Sequence, residues 1–344
     1  MLVDHFPGYK AKSNTYNALL CQSLEALGVT IREYDPLTTL KEGAADVVHV
    51  HWPEYSLSEK RPLWRQLRLL KFWSGIRYAR MRGAKIVWTA HNLRPHERLD
   101  DGLETRFYRK WIHCISGVIC LSEASKGPLV ERYPDLGQTP IFVIPHGDYR
   151  PTLGGTVTRD AARQALGLPT DALMIGSVGA VRRYKNLPVL IESFRRVAPE
   201  GVRLLIAGKS SEPELIAEIE QAISGDPRVT FLNKFLSDEE MEQVNVACDL
   251  MVFPYTDILN SGSALFSLSC SRAVVVPRLG SMPELSAAAG AEWVRLYEPP
   301  FSDEALGAAI AQELPAAGSQ PDLSKFDWKV IGAQTKAAYE QVCR

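Results

Sequence analysis

Short apolar segments of strand length alternate with amphipathic segments of helix length along this chain of 344 residues. In the first half, apolar runs at 45–50, 85–90 and 118–121 predict buried strands. Helical spacing precedes them at 14–27, and that segment ends at Gly28. Because apolar strands joined by helices are typical of parallel sheets covered on both faces, the first 148 residues predict an α/β domain.

The same alternation resumes after a segment at 149–158 that is rich in Gly, Pro and Thr and lacks periodicity. This segment predicts a linker, and the length of the chain fits two domains. A last amphipathic segment at 326–342 follows a connection rich in Pro, Gly and Ser. We therefore expect an N-terminal domain, a C-terminal domain and a final helix that packs back on the N-terminal domain, with boundaries at 1–150, 151–322 and 323–344.

The formal net charge is −1, since 39 Lys and Arg stand against 40 Asp and Glu. No global field therefore attracts nucleic acid, and an anionic partner has to be bound locally. Six scattered cysteines without a C-x-x-C pair predict buried, reduced thiols. No secretory signal and no apolar run of about 18 residues is visible, so the expected compartment is the cytoplasm.

One strand-turn-helix segment, at 173–194, has the features of an anion site. An apolar run breaks at Gly176 and Gly179, and an amphipathic helix begins near Leu187. Glycine lets the backbone approach a ligand, and a helix N-terminus offers free N–H groups. Three cations lie in the turn: Arg182, Arg183 and Lys185. The segment predicts a phosphate-sized anion site, and the alternative is a solvated basic loop.

A second candidate anion site lies about eighty residues further on. Small polar residues follow a strand at 249–253 and precede a helix at 264–271; they are Asn260, Ser261, Gly262 and Ser263. Hydroxyl groups beside the bare N–H groups of a helix start suit an anion. The alternative is an ordinary N-cap.

Histidines follow three strands of the first half. His51 follows the strand at 45–50, His91 the strand at 85–90, and His146 the strand at 140–144. Gly8 lies in a similar position, near the end of the first possible strand segment at 1–9. Ligands of open parallel sheets lie beyond the carboxyl ends of the strands, so these positions suit a binding site. The alternative is that they are packed loop histidines.

The segment 60–82 is basic and aromatic, with eight Lys or Arg and no acid. At helical spacing its apolar and basic residues form adjacent stripes: Leu63, Leu67, Leu70 and Met81, beside Arg65, Arg68, Lys71 and Arg82. Such a helix suits an anionic membrane surface or single-stranded nucleic acid, and the alternative is a helix whose apolar face is core. The absence of basic charge elsewhere argues against nucleic acid.

The order of these elements resembles the GT-B glycosyltransferases, and the second half resembles the group 1 class, family 4. The matching segments are I-P-H-G at 144–147, V-G-A-V-R-R-Y-K-N at 178–186, L-L-I-A-G at 204–208, the run at 229–241, C-D-L-M-V-F-P-Y at 248–255 and V-V-V-P-R-L-G-S-M-P-E-L at 274–285. The first half matches more loosely, through H-V-H-W-P and W-T-A-H-N. The resemblance implies two Rossmann-like doubly wound domains facing across a cleft.

The resemblance implies transfer of a sugar from a UDP- or GDP-linked donor, held by the second domain. The acceptor, a glycan that is expected to be lipid-linked, would bind the first domain, in polysaccharide or glycolipid synthesis of the bacterial exopolysaccharide type. By position, Lys185 would hold the diphosphate and His91 would lie near the transferred sugar. Arg182 or Arg183 would replace a family arginine whose position is Ala180. The nucleobase would lie at Lys234, Phe235 and Leu236.

The chain departs from family 4 at its two glutamates, whose positions are Leu259 and Ser267. Ser267 is a weak replacement for the ribose-binding glutamate, and Asp257 is the nearest acid. No D-x-D cluster suits a divalent metal, so we expect a metal-independent enzyme without a cofactor. Cations and a helix end would neutralise the leaving diphosphate.

An inverting reaction would need a base in the first domain, and the candidates are Glu54, Glu97 and Asp100. Two other functions remain open. One is a sugar-nucleotide epimerase of the same architecture, and the other is a non-catalytic nucleotide-binding module. The sequence does not indicate an oligomeric state. The basic helix at 60–82 would dock the acceptor domain on the inner face of the cytoplasmic membrane.

Overall fold

The computed structural model describes residues 1–9, 15–59, 61–92 and 101–344, without the side chain of residue 101. Two of the three candidate bases, Glu97 and Asp100, lie outside the described residues, as does Lys60. The chain forms two compact units. Unit 1 consists of 1–147 with 325–344, and unit 2 consists of 148–324.

Unit 1 is built on a parallel six-stranded sheet in the order β2-β1-β3-β4-β5-β6. The strands are β1 (Leu2–Phe6), β2 (Thr30–Glu33), β3 (Val47–Val50), β4 (Lys85–Ala90), β5 (Gly117–Cys120) and β6 (Ile141–Val143). The helices before the linker are α1 (Thr15–Glu25), α2 (Pro36–Glu42), α3 (Pro62–Met81), α4 (Asp101–Ile112) and α5 (Lys126–Arg132). The strand order reverses between β1 and β3, and ligands of doubly wound sheets bind at such a switch point.

Unit 2 has the same plan, with the strand order β12-β11-β10-β7-β8-β9 and parallel pairing throughout. Its strands are β7 (Leu173–Val178), β8 (Val202–Ala207), β9 (Val229–Leu232), β10 (Leu250–Val252), β11 (Ala273–Pro277) and β12 (Val294–Tyr297). Its helices are α6 (Arg159–Ala165), α7 (Leu187–Val197), α8 (Pro213–Ile223), α9 (Asp238–Ala247), α10 (Gly262–Ser269), α11 (Met282–Ala289) and α12 (Asp303–Ala311). The switch point of this sheet lies between β7 and β10.

The last helix, α13 (Trp328–Cys343), belongs to unit 1, where it packs against α1. The two helices approach closely because Gly332 has no side chain, and a Cβ there would lie 2.8 Å from Ser23 Oγ. Ile331 and Tyr339 of α13 are fully buried in an apolar cluster with Leu20 of α1. These two helices therefore cover one face of the unit 1 sheet.

The opposite face of the unit 1 sheet is covered by α3 and α4. Phe72 and Ile76 of α3 and Trp111 of α4 are buried there against Trp88 of β4. Helices thus cover both faces of the unit 1 sheet, and both sheets have the strand order of a doubly wound fold, which confirms the fold class predicted from the alternation of strands and helices. Among the described residues, no helix is long and apolar enough to cross a membrane.

Candidate functional site

The turn after β7 brings three groups of unit 2 together. Gly179 has φ of 105°, a conformation that other residues rarely adopt. A Cβ at this position would lie 2.6 Å from Ser263 Oγ and 2.9 Å from Lys185 Nζ. The positive φ therefore favours glycine here, and a side chain would displace the Lys185 amino group and the Ser263 hydroxyl. The turn, the cation and the start of α10 meet at the switch point of the sheet, where the sequence predicts an anion site.

Lys185 is a buried cation whose contacts are weak. Its Nζ lies 3.3 Å from the carbonyl oxygen of Val178 and 3.5 Å from Ser263 Oγ. Burial lowers the pKa of Lys185 to about 8, with a smaller contribution from the nearby charge of Arg182. No carboxylate in the described part of the chain forms an ion pair with it. Because a buried charge without a counter-ion is costly, this lysine favours an anionic ligand.

The N-terminus of α10 adds hydrogen-bond donors to the same place. Ser261 is the N-cap, and its Oγ accepts from the backbone N–H of Ala264 at 3.1 Å. The hydroxyl of Tyr255 lies 2.9 Å from Ser261 Oγ and fixes the cap from the other side. The first-turn N–H groups of a helix have no partner within the helix. Gly262 and Ser263 thus begin α10 where an oxyanion would receive both N–H groups and the positive end of the helix dipole.

The other two cations of the turn have different partners. Arg182 donates to Ser211 Oγ at 3.1 Å, and its charge still acts on Lys185. Arg183 is exposed and forms ion pairs with Glu212 and Glu218 at 3.3 and 3.0 Å. The structure therefore brings Lys185 and Ser263 together, keeps Arg182 nearby, and directs Arg183 to acids at α8.

The predicted nucleobase positions follow β9. Lys234 is paired with Glu240, whereas Leu236 is almost fully buried. Phe235 presents an unusually exposed aromatic ring, at 76% of its full accessibility. An exposed ring is available for stacking on a base.

The donor loop differs from the expectation at one residue. Ser267 is fully buried, with its Oγ 2.6 Å from Asn245 Oδ1 and 2.9 Å from the carbonyl oxygen of Ser263. It packs between α9 and α10, so this geometry gives no support to a role for Ser267 in ribose binding. Asp257 is exposed, and Asn260 has a buried amide nitrogen that finds no hydrogen-bond partner within the described ranges.

Unit 1 contains a layer of buried histidines between its sheet and the helices α1 and α13. His5 and His49 are paired in register on β1 and β3, so their side chains share one face of the sheet. His49 Nδ1 lies 2.6 Å from the hydroxyl of Tyr339, and His49 Nε2 lies 2.7 Å from that of Thr89. His5 Nε2 lies 3.3 Å from the same tyrosine hydroxyl. This face of the sheet therefore carries a hydrogen-bonded polar network.

His51 and His91 continue this layer beyond the strands. Their rings are joined by a hydrogen bond of 3.1 Å between His51 Nδ1 and His91 Nε2. Trp52 stacks on His91 with centroids 4.3 Å apart, and Tyr16 meets the same ring edge-on at 5.0 Å. Burial lowers the pKa of both histidines well below the usual range, so both are neutral at pH 7.

The remaining predicted residues of unit 1 lie at the same edge. His146 Nδ1 donates to the carbonyl oxygen of Gly147 at 2.7 Å, and its ring lies 4.5 Å from that of Tyr16. Burial lowers the pKa of His146 to about 4. Gly8 donates its N–H to Glu33 Oε1, and a Cβ at Gly8 would lie 3.2 Å from that of His5. The structure thus brings Gly8, His51, His91 and His146 together at the switch point.

Three of these histidines also form a candidate metal-binding group. One ligand nitrogen of each of His5, His49 and His51 lies within 4.8 Å of the others. Zinc with bonds of about 2.1 Å holds its nitrogen ligands roughly 3.4 Å apart in a tetrahedral site, so this group is loose by comparison. Both nitrogens of His49 already have hydroxyl partners. The arrangement resembles a hydrogen-bonded layer more than a preformed metal cage.

Glu54 is the described member of the candidate bases. It follows β3, is half-buried, and accepts a hydrogen bond from the hydroxyl of Tyr108 at 2.9 Å. Burial raises the pKa of Glu54 to about 7, against the opposing effect of that hydrogen bond. A carboxylate with such a pKa can accept a proton near neutral pH.

Sequence reasoning missed several side chains that hold these groups. Tyr339 is 290 residues from its partner His49, so no local pattern connects them. Tyr255 ends the motif C-D-L-M-V-F-P-Y and Trp52 lies in H-V-H-W-P, but the sequence alone gives neither residue a role. One signal in the sequence could have indicated this network. His49 and Thr89 are polar residues in the middle of apolar strands, and such residues need hydrogen-bond partners when they are buried.

Over 337 residues the chain is 31% identical to a GDP-mannose:glycolipid 4-beta-D-mannosyltransferase of Xanthomonas campestris pv. campestris, an alignment that covers 95% of this chain and 88% of the relative. Residues 172–314 match the family described as glycosyl transferases group 1. The chain belongs to the group 1 glycosyltransferases. A shorter match, 31% over 131 residues, joins it to a D-inositol 3-phosphate glycosyltransferase of Mycolicibacterium smegmatis and covers 37% of this chain and 30% of that one.

Solved structures share the fold of this glycosyltransferase. Sucrose-phosphate synthase from Thermosynechococcus elongatus superposes with a TM-score of 0.70 at 17% identity, covering 99% of this chain and 98% of the other. Anabaena HepE in complex with UDP and glucose gives 0.65 at 17% identity, with coverage of 99% and 98%. The GT-B fold, the family and the enzyme class predicted from the ordered motifs are thereby confirmed.

Proposed function

We propose that this glycosyltransferase moves a mannosyl group from GDP-mannose to a lipid-linked glycan, at a membrane surface, in the synthesis of an exopolysaccharide. One observation carries the nucleotide-sugar part of the proposal: Lys185, buried and without a carboxylate partner in the described chain, lies 3.5 Å from Ser263 at the start of α10. The choice of guanine, mannose and a glycolipid rests on the name of the Xanthomonas relative.

The chemistry assigned to unit 2 is stabilisation of the leaving group. As the bond from the sugar to the diphosphate breaks, negative charge grows on the leaving oxygen. Lys185 and the N–H groups at Gly262 and Ser263 would meet that charge without having to reorganise, which is where electrostatic catalysis is strongest. Arg182 adds positive charge nearby. These groups supply the same kind of stabilisation that a divalent metal supplies elsewhere, so the proposal includes no metal.

The chemistry assigned to unit 1 is activation of the acceptor hydroxyl. GDP-mannose carries its mannosyl group in the α configuration, so a β-linked product like that of the relative requires inversion and a base. Glu54 is the candidate we favour, because its pKa of about 7 leaves it able to accept a proton at neutral pH. A Glu54→Gln variant that kept its turnover would remove Glu54 from this role.

The membrane part of the proposal rests on two neighbouring helices of unit 1. The first half of α3 leaves three of its leucines exposed: Leu63 at 66%, Leu67 at 48% and Leu70 at 65%. The contacting helix α2 exposes Leu37 and Leu40. Exposed apolar side chains interleaved with Arg65 and Arg68 suit the interface of an anionic bilayer. A lipid-linked acceptor would be presented at that surface.

The test is a donor screen followed by a transfer assay. GDP should raise the melting temperature more than UDP, ADP or dTDP, since a ligand at a hundred times its Kd stabilises by about 2.7 kcal/mol. Transfer of labelled mannose to lipid-linked glycans from a bacterial membrane extract should then require GDP-mannose. Preference for UDP would contradict the donor assignment, and epimer formation without an acceptor would favour an epimerase. The absence of binding, hydrolysis and transfer with every donor would favour a non-catalytic module.

A further inference from the structure

His51 and His91 each have one ring nitrogen that takes no part in the hydrogen bond between them. These two nitrogens, His51 Nε2 and His91 Nδ1, have very different surroundings. His51 Nε2 is buried and has no hydrogen-bond partner among the described residues. His91 is only half-buried, and its Nε2 is directed to His51 Nδ1 at 3.1 Å. The nitrogen of His91 that remains for a ligand is therefore Nδ1.

Two neutral imidazoles can share this hydrogen bond in two ways. In the first, His51 Nδ1–H donates to His91 Nε2, and the proton of His91 is on Nδ1. In the second, His91 Nε2–H donates to His51 Nδ1, and the proton of His51 is on the buried Nε2. The second arrangement buries an unpaired N–H donor, whereas the first leaves only an unpaired lone pair. Orphaned buried N–H groups are the rarer defect in folded proteins.

We propose that His51 is a positioning residue that fixes His91 as the Nδ1–H tautomer, so that His91 donates a hydrogen bond from Nδ1 to a substrate oxygen bound at the switch point of the unit 1 sheet. In this form His91 is a donor and not a base, because its lone pair is already occupied by His51. Trp52 stacks on the His91 ring, and Tyr16 packs against the same ring edge-on. These contacts fix the plane of the ring and therefore the direction of its Nδ1–H. The part about the substrate rests on the proposed function, whereas the tautomer rests on the geometry of unit 1 alone.

The same rule assigns the neighbouring network and so provides an internal check. His5 Nδ1 is buried without a partner in the part of the chain that the structure describes, so it should carry no proton. His5 Nε2–H then donates to the hydroxyl of Tyr339, which donates to His49 Nδ1, and His49 Nε2–H donates to Thr89 Oγ1. His5 and His49 should therefore be Nε2–H tautomers, opposite to His51 and His91.

The direct experiment is nitrogen-15 NMR of the histidine side chains in the full chain, without substrate, at pH 7.5. Single substitutions assign the signals, and the two tautomers have distinct nitrogen shifts and couplings. We expect neutral Nδ1–H forms for His51 and His91 and neutral Nε2–H forms for His5 and His49. A neutral Nε2–H form of His91, or a charged imidazole at either His51 or His91, overturns the proposal. A failure of GDP-mannose as donor would leave this result unaffected.

The kinetic experiment uses variants that separate the hydrogen bond from the packing. Asn places its amide nitrogen near the position of Nδ1, and Gln places it near that of Nε2. His51→Asn should therefore keep His91 as Nδ1–H and retain turnover within about threefold, while His51→Gln and His51→Phe should lose about tenfold or more, as lost orienting partners do. The loss should appear in kcat and not in the KM for the acceptor. The exposed His113→Asn is the matched control.

Folding of each variant is checked by its thermal melt before its kinetics are compared. Should His51→Phe not fold, the comparison of His51→Asn with His51→Gln carries the test, since both are amides at the same position. Equal turnover of these two variants overturns the positioning role. The positioning role is supported when His51→Gln loses turnover and His51→Asn retains it. Turnover is measured with whichever nucleotide sugar the donor screen selects.

Discussion

Acidification should destabilise unit 1 through its buried histidines. His5, His49 and His51 are almost completely inaccessible, and burial lowers the pKa of His5 to about 3 and those of the other two well below 6.5. In the unfolded chain each titrates near 6.5. Since the folded pKa values are depressed, the unfolded state binds more protons. The contribution to stability is present above about pH 6.5 and is lost as the pH falls towards the folded values.

The size of the effect follows from the unfolded pKa. Between pH 7 and pH 5 each buried neutral histidine costs about 2 kcal/mol of unfolding free energy, so the three together cost about 6 kcal/mol. Glu54 acts in the opposite direction, because its raised pKa makes the folded state take up a proton in the same range. Its offset is about 2 kcal/mol, whereas His91 and His146, whose pKa values burial also lowers, add to the loss, so the net loss is at least about 4 kcal/mol. A domain of ordinary stability, about 5 to 15 kcal/mol, would lose a large part of it.

The assay is urea unfolding at pH 7 and pH 5, followed by tryptophan fluorescence. All tryptophans except Trp293 belong to unit 1, so the signal reports mainly on that unit. His49→Gln should reduce the difference between the two pH values by about 2 kcal/mol. His113→Gln, at a side chain 64% exposed, should leave it unchanged. Equal unfolding free energies of the wild type at pH 7 and pH 5 would refute the assignment of these histidines as buried and neutral.

Three further predictions concern the two sites. GDP affinity should be constant below about pH 8 and weaken above it, because Lys185 loses its proton there; titration calorimetry at pH 7, 8 and 9 checks this, and a flat profile contradicts it. Gly179→Ala should weaken GDP binding at least tenfold, since a Cβ would crowd Lys185 and Ser263; unchanged calorimetric affinity would show that the turn adapts. Leu67→Glu should reduce co-sedimentation with phosphatidylglycerol vesicles several-fold, whereas equal pelleting with the wild type would argue against α3 as the docking helix.

The fold could be predicted from the sequence because the apolar residues of strands and of amphipathic helices recur with distinct periods. The strands β3, β4 and β5 were predicted within two residues of their observed bounds. The short helix α2 was missed, because seven residues give too few turns for a helical period to stand out. The C-terminal strand β12 and helix α12 likewise were not predicted as elements.

Only those features of the site that follow from strand order and from proximity along the chain could be predicted from the sequence. The convergence of Lys185 with Ser263 follows from two strand-to-helix turns that meet at the switch point of one sheet. The direction of a long side chain does not follow, so Arg183 was grouped with Lys185 although it pairs with acids at α8. The direction of Ser267 does not follow either, because a helical serine can point inward, and only the packing of α9 against α10 shows that its Oγ lies against Asn245.

The central claim is that Lys185 and the start of α10 hold the donor diphosphate. The most direct measurement is the turnover of Lys185→Ala with saturating GDP-mannose, beside Lys329→Ala, an exposed lysine of α13, as the control. Loss of a preorganised electrostatic group predicts a fall in kcat of roughly a hundredfold or more, with the control unchanged. A Lys185→Ala enzyme that turns over at the wild-type rate would contradict the account.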